Sequence, residues 1–237
     1  MMELVSQLIG PSVDHPNTPE CRIVAAGTID GSATINGNSQ QLGNELDTAL
    51  LLGLRQWSDC ILVGAGTVRA ENYGQVLIPK EIQKQRQDRG QHPTPPLIIV
   101  SRSLHFPTTS RLFSHDGQPQ VAITDLENAQ EINVEKLTQH GWEIINVPRL
   151  TATGIIQALT DRGFRRIISE GGPQLNSALL AARLVTKIHL TLDPLLCLST
   201  TNPLFGLGTS DEILPCTLEH VHHSNDGNVF LRYGINR

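Results

Sequence analysis

The sequence predicts a mixed α/β fold, a mostly parallel sheet that ends in an antiparallel hairpin. Three observations carry this. Short, continuous apolar runs alternate with segments of helical spacing through most of the 237 residues, as expected of strands covered on both faces. Two of the runs end in glycine turns that open helices, Cys60-Ile61-Leu62-Val63-Gly64-Ala65-Gly66-Thr67 and Arg166-Ile167-Ile168-Ser169-Glu170-Gly171-Gly172-Pro173. Near the C-terminus, Asn225-Asp226-Gly227-Asn228 separates two alternating segments, a hairpin signature.

The elements follow in order. Residues 1–20, with Pro11, Pro16 and Pro19, read as a loosely held arm, and 21–237 as one domain. A strand is predicted over 22–28, ending in the turn Ile29-Asp30-Gly31. Asn44 is placed to cap a helix over 45–56, whose Leu46, Leu50 and Leu54 share one face. Strands are predicted at 60–63, 97–100, 120–124 and 143–147. The polar, proline-bearing stretch 75–96, with Lys80, Lys84, Arg86 and Arg89, reads as a surface excursion around a short helix. Helices at 134–140 and 154–161 are closed by Gly141 and Gly163. A strand over 165–169 precedes Pro173, which suits the first position of a helix reaching 182. The alternation Lys, Ile, His, Leu, Thr, Leu at 187–192 predicts a strand with one wet face, and the hairpin strands fall at 218–224 and 229–233.

Bulk composition narrows the function. Apolar residues make up 39% and the net charge is −5, an ordinary globular balance without the basic footprint of a nucleic-acid binder. No apolar stretch approaches the roughly 18 residues of a spanning helix. The first twenty residues lack a basic start followed by an apolar core, so no signal peptide is predicted. The cysteines, Cys21, Cys60, Cys197 and Cys216, are far apart and form no C-x-x-C pair, which predicts reduced thiols and a cytoplasmic location. His220 and His222 share a strand face, but no carboxylate or cysteine at ligand spacing joins them and His223, so these are read as hairpin surface histidines and no metal is expected. Trp57 and Trp142 read as packing residues.

A helix that starts at a glycine turn aims unpaired N–H groups and its positive end at whatever lies beyond the strand. Two such turns together suit a long anionic ligand, such as a dinucleotide, lying across the carboxyl ends of the strands. The first turn has neither the Lys-Ser/Thr pair of a P-loop nor the third glycine of a Rossmann fingerprint.

The run Gly64-Ala65-Gly66-Thr67-Val68-Arg69-Ala70-Glu71-Asn72 is flanked by Thr28-Ile29-Asp30-Gly31 upstream and Ser169-Glu170-Gly171-Gly172-Pro173-Gln174-Leu175 downstream. Leu54, Arg55 and Asp59 form L-R-x-x-x-D, and 182–185 read A-R-L-V. Together these motifs resemble the C-terminal reductase domain of the bifunctional riboflavin-biosynthesis deaminase-reductase, over about Ile23 to Leu195. The resemblance implies a three-layer, dihydrofolate-reductase-like fold and NADPH as cofactor. It further implies hydride reduction of a ribosylamino-pyrimidine phosphate at its ribose-derived imine, giving the ribityl product. Carried over by position, Gly64, Ala65, Gly66 and Thr67 cradle the cofactor phosphates, with Glu71 one helical turn beyond. Gly171, Gly172, Pro173, Gln174 and Leu175 form the second wall, beside the nicotinamide. Ser101, Arg102, Ser103 and Leu104 are similar to the 2′-phosphate site of the same fold, where a guanidinium and a hydroxyl satisfy phosphate oxygens. Glu170 is the acid expected at the reacting end, holding substrate hydroxyls or assisting proton delivery. Thr28 and Asp30 line the opposite wall of the substrate site, Asp30 being equally suited to form the turn before Gly31. A homodimer is implied, with 187–192 and the terminal hairpin as candidate contacts, and any deaminating partner would be a separate protein.

Several positions depart from the family pattern. Ser32 stands where a lysine usually follows Asp-Gly, and Glu71-Asn72-Tyr73 replaces Asp-Asn-Pro or Asp-Asp-Pro. No Leu-Thr-x-Arg follows, leaving Lys80, Arg86 or Arg89 as candidate phosphate contacts, and Leu-Val-Asp-Glu is Leu184-Val185-Thr186-Lys187. Two other readings are therefore kept: a reductase of a pteridine or other small heterocycle, and a nucleotide-binding module without catalysis.

Overall fold

The structure is a computed structural model. It describes residues 1–12, 18–74, 76, 78–107, 109–113, 118–198, 202–206 and 213–236. Among these residues nine strands form one sheet in the order β5-β4-β3-β2-β6-β1-β7-β9-β8. They are β1 Glu20–Thr28, β2 Cys60–Gly64, β3 Leu97–Val100, β4 Gln120–Thr124, β5 Glu143–Asn146, β6 Arg166–Ser169, β7 Val185–Asp193, β8 Cys216–His223 and β9 Val229–Ile235. The pairs from β5 through to β7 are parallel, and β9 joins β7 and β8 antiparallel. This is the predicted mostly parallel sheet with its terminal hairpin.

The continuous apolar runs form central strands because both sheet faces are covered. Ile61, Val63, Leu97, Ile99 and Ile168 enter one core, under the helices α2 (Glu45–Trp57) and α3 (Ala65–Ala70) and, at its margin, α5 (Glu131–Gln139). Cys60, Leu62, Ile98, Ile123 and Ile167 enter the other, under α6 (Ala152–Asp161) and α7 (Pro173–Ala181). Alternate residues of each strand serve opposite cores, as a period of two requires. Asn44 caps α2 as expected, its side chain accepting from Asp47 N.

Three expectations are corrected. In the segment read as a loose arm, Met2–Ile9 forms the helix α1, packed on the core through Leu4, Val5, Leu8 and Ile9. Its C-terminal carbonyls are capped by arginines from the sheet: Arg232 donates to Leu8 O at 2.8 Å, and Arg22 to Ile9 O at 2.6 Å and Pro11 O at 2.8 Å. The part of that arm with Pro16 lies outside the described residues. The excursion does contain a helix, α4 (Lys80–Asp88), but Arg86 is fully buried. Its guanidinium donates to Arg55 O, Gln56 O, Ser58 O and His92 O at 2.7–3.0 Å, so it terminates α2 and is not a phosphate contact.

The third correction inverts β7. Lys187, His189 and Thr191, taken as its wet face, are 5%, 1% and 1% exposed. They lie under α1 and α2, where Lys187 pairs with Glu219 at 2.7 Å and Thr191 donates to Asp47 at 2.6 Å. On the opposite face Leu190 and Leu192 remain half-buried, beside Val229, Leu231 and Tyr233 of β9, with Leu218 and Val221 of β8 exposed. Alternation identified the two faces of this strand; tertiary pairing decided which one was buried.

Candidate active site

Strands β3, β2, β6 and β1 are consecutive neighbours in the sheet, and all four run parallel. Their carboxyl ends therefore bring the four predicted segments to one edge: Ser101 after β3, Gly64 after β2, Glu170 after β6 and Thr28 at the end of β1. In open parallel sheets this edge is where ligands bind.

The two glycine turns abut. Gly64 N donates to Gly171 O at 2.8 Å and Glu170 N to Leu62 O at 3.0 Å. A Cβ on Gly172 would lie 2.6 Å from Thr67 Oγ1, whereas one on Gly66 would meet nothing within 4 Å. Gly172 is thus needed for the close approach of the two turns, and Gly66 faces open space. Gly171 has φ +109°, in glycine's region of backbone space, and the Gly171–Gly172 peptide is cis. Helix α3 begins after Gly64 and α7 after Gly172, neither with a side-chain cap, and Pro173 takes the first position of α7. Adjacent helix starts with uncapped N–H groups are the donor set expected of a pyrophosphate cradle. Leu175 is partly buried behind Gly64, 3.8 Å from where a Cβ there would stand, and Gln174 is exposed.

At the carboxyl end of β6, Arg55 of α2 meets Glu170 through a two-pronged ion pair, Nε to Oε1 and Nη2 to Oε2, both at 2.7 Å. Tyr73 completes a triad. Its hydroxyl accepts from Arg55 Nη2 at 2.9 Å and donates to Glu170 Oε2 through a short hydrogen bond. The Glu170 and Arg55 side chains are 6% and 15% exposed. Burial lowers the affinity of Arg55 for its proton, but the charge and hydrogen bonds of Glu170 outweigh that and hold it above the ordinary arginine value. Burial, reinforced by the Glu170 charge, pushes the Tyr73 phenol well above its usual value, so it remains a donor.

The other predicted residues are more committed to structure than expected. Thr28 Oγ1 donates to Asp30 Oδ1 at 2.5 Å and accepts from Ser32 N at 3.0 Å. Asp30 also accepts from Cys197 N at 3.1 Å, which fits the turn-forming reading. Glu71 Oε1 accepts from Ser39 N at 3.0 Å and ties the 32–43 loop to the end of α3. Ser101 Oγ accepts from Leu104 N at 3.0 Å, leaving its own proton to donate. Arg102 and Ser103 are exposed, but Leu104 is 1% exposed with φ +52° and belongs to the core, so it offers a ligand no side chain. The L-R-x-x-x-D motif divides: Arg55 holds Glu170 at the carboxyl end of β6, while Asp59 holds the opposite end of that strand through Arg165 N, Arg166 N and the Arg166 guanidinium at 2.8–2.9 Å.

Arg55 and Tyr73 were not singled out as site residues from sequence. The departure at Glu71-Asn72-Tyr73 was the available signal, since a phenol in place of a proline introduces a hydrogen-bonding group.

The RibD C-terminal domain model matches residues 19–231. The chain belongs to this family. It is 25% identical over 211 residues to the 2,5-diamino-6-ribosylamino-4(3H)-pyrimidinone 5′-phosphate reductase of Archaeoglobus fulgidus, covering 88% of this chain and 95% of that one. The protein of that name from Methanothermobacter thermautotrophicus is 23% identical, over 73% of this chain and 76% of its own. Among solved structures, a pyrimidine reductase-like protein from Corynebacterium diphtheriae is similar at a TM-score of 0.85 and 38% identity, covering 93% of both chains. The riboflavin biosynthesis reductase of Saccharomyces cerevisiae has the same fold at a TM-score of 0.71 and 17% identity, covering 99% of both. The fold is the dihydrofolate-reductase-like one that the motifs implied.

Proposed function

We propose that this member of the RibD C-terminal domain family is an NADPH-dependent pyrimidine reductase, which reduces the ribose-derived imine of a ribosylamino-pyrimidine phosphate to the ribityl product. The observation that carries the cofactor half is the abutting pair of glycine-capped helix starts, with open space over Gly66. Gly64, Ala65, Gly66 and Thr67 would hold the pyrophosphate, and Gly171 and Gly172 would let a flat ring approach the backbone. When bound, the nicotinamide supplies a hydride. The chain supplies orientation and electrostatics through the Arg55–Tyr73–Glu170 triad at the same edge. Arg102, exposed beyond β3 with the Ser101 hydroxyl beside it in sequence, favours NADPH over NADH by pairing with the 2′-phosphate.

The half-buried apolar face of β7 and β9 supports a homodimer, since Leu190, Leu231 and Tyr233 would complete their burial against a second copy. The thiols of Cys21 and Cys60 are free and buried, which suits a reducing compartment such as the cytoplasm.

The test is to titrate NADPH and NADH by fluorescence, then add the ribosylamino-pyrimidine phosphate and follow the reduced-nicotinamide absorbance. Oxidation on adding that substrate is expected. Turnover with dihydropterins alone would move the protein to the pteridine-reductase reading, and binding without any turnover to a non-catalytic module. The Arg102→Ala variant should weaken NADPH binding about tenfold, the size of one charge-assisted hydrogen bond, and leave NADH unchanged. Equal losses for both nucleotides would remove Arg102 from the 2′-phosphate site.

A further inference from the structure

We propose that Arg55 and Tyr73 are positioning residues of the reduction, and that they hold Glu170 as a fixed hydrogen-bond acceptor which takes no part in proton delivery. The proposal rests on the reductase reading above, with Glu170 facing the substrate.

The three residues come from three elements: Arg55 from α2, Tyr73 from the segment after α3, and Glu170 from the turn after β6. A carboxylate has about four acceptor positions. Arg55 Nε occupies one on Oε1, and Arg55 Nη2 and Tyr73 occupy two on Oε2, so among the described residues one remains, on Oε1. Tyr73 has a single proton, and it is directed at Glu170, while its oxygen is held by Arg55. Both Glu170 oxygens accept from the Arg55 guanidinium, and the phenol proton is already engaged on Oε2. Glu170 can therefore orient a substrate hydroxyl or N–H through Oε1.

The chemistry balances on that basis. The hydride forms the new C–H bond at the imine carbon, the C=N π pair moves to nitrogen, and the nitrogen takes its proton from water. Electrostatic placement of this kind works only if the acceptor is held rigidly. Glu170 directly precedes Gly171 and Gly172, so the same clasp also fixes the wall shared by the two glycine turns. Tyr73 stands where the pattern that the motifs resemble has proline.

The test is a double-mutant cycle on the full chain, using Tyr73→Phe, Glu170→Gln and the pair, with kcat, KM, cofactor dissociation constant and melting temperature for each. A residue that acts through another shows strongly non-additive effects. Tyr73→Phe should lower kcat about tenfold, one charge-assisted hydrogen bond, with cofactor affinity and KM within about twofold. Glu170→Gln should lower kcat further, and the double variant should be no slower than Glu170→Gln alone. Arg55→Ala should lose kcat in the same way and regain part of it on adding millimolar guanidinium, whereas a purely structural loss would not respond. Multiplying penalties in the cycle, or an unchanged kcat in Tyr73→Phe, would overturn the proposal and leave the reductase reading standing. Absence of turnover by the wild-type chain would overturn both.

Discussion

His189 makes the stability of this protein depend on pH below about 6.5, and His220, lowered first by burial and then by the charge of Arg232, adds to the same slope. The His189 side chain is 1% exposed, in the row of β7 that lies under α1, and among the described residues its Nε2 has no hydrogen-bond partner. Burial, followed by the positive charges of Arg22 on β1, Arg232 on β9 and Lys187 on β7, lowers its pKa well below 6.5. The folded protein thus keeps His189 neutral while the unfolded chain takes up a proton near pH 6.5. For a base whose folded pKa is depressed, the unfolded state binds more protons below 6.5, so stability rises with pH there and is lost on acidification. One proton corresponds to about 1.4 kcal/mol of lost stability at pH 5.5 and about 2.7 kcal/mol at pH 4.5, as long as the folded pKa lies lower still. The carboxylates held low by their partners, Asp59, Asp226 and Glu219, have ordinary values of 3.8, 3.8 and 4.5 and enter only at the acid end of this range. Urea unfolding at pH 7.5, 6.5, 5.5 and 5.0 measures the slope. Replacement of His189 by leucine or glutamine should flatten it by about one proton, whatever each variant does to stability at pH 7.5. Equal slopes in wild type and both variants would refute the reasoning and mean that the imidazole accepts its proton in the folded state.

Two further predictions concern packing. Arg86→Met leaves the carbonyls at the end of α2 without their shared donor, and unfolding should cost about 3–5 kcal/mol less, as for breaking other buried polar networks; a loss below about 1 kcal/mol by urea unfolding would show that water replaces the guanidinium. Gly172→Ala puts a methyl carbon 2.6 Å from Thr67 Oγ1, so it should destabilise by about 1–3 kcal/mol, as overpacking does, and weaken NADPH binding. Adding Thr67→Ala should recover most of the stability, and failure to do so would mean that the strain lies elsewhere.

What the sequence determined by itself was local and periodic. Continuous apolar runs such as Leu97–Val100 marked central strands because both of their faces must be covered, and Asn44 and Pro173 marked helix starts because their chemistry suits only those positions. The glycine turns were legible for the same reason: close backbone approach and open N–H groups require small residues at fixed spacing. What only the tertiary structure decided was partnership. Lys187, His189 and Thr191 read as a wet face until α1, Glu219 and Asp47 were placed against them. Arg86 read as a surface cation until its guanidinium was seen under the end of α2. Glu170 stood out from its place before the glycine pair, but the Arg55 and Tyr73 that hold it are 115 and 97 residues away along the chain. Hydrogen bonds over such separations leave no periodic trace in the sequence, because they depend on how the elements pack and not on the order in which they occur.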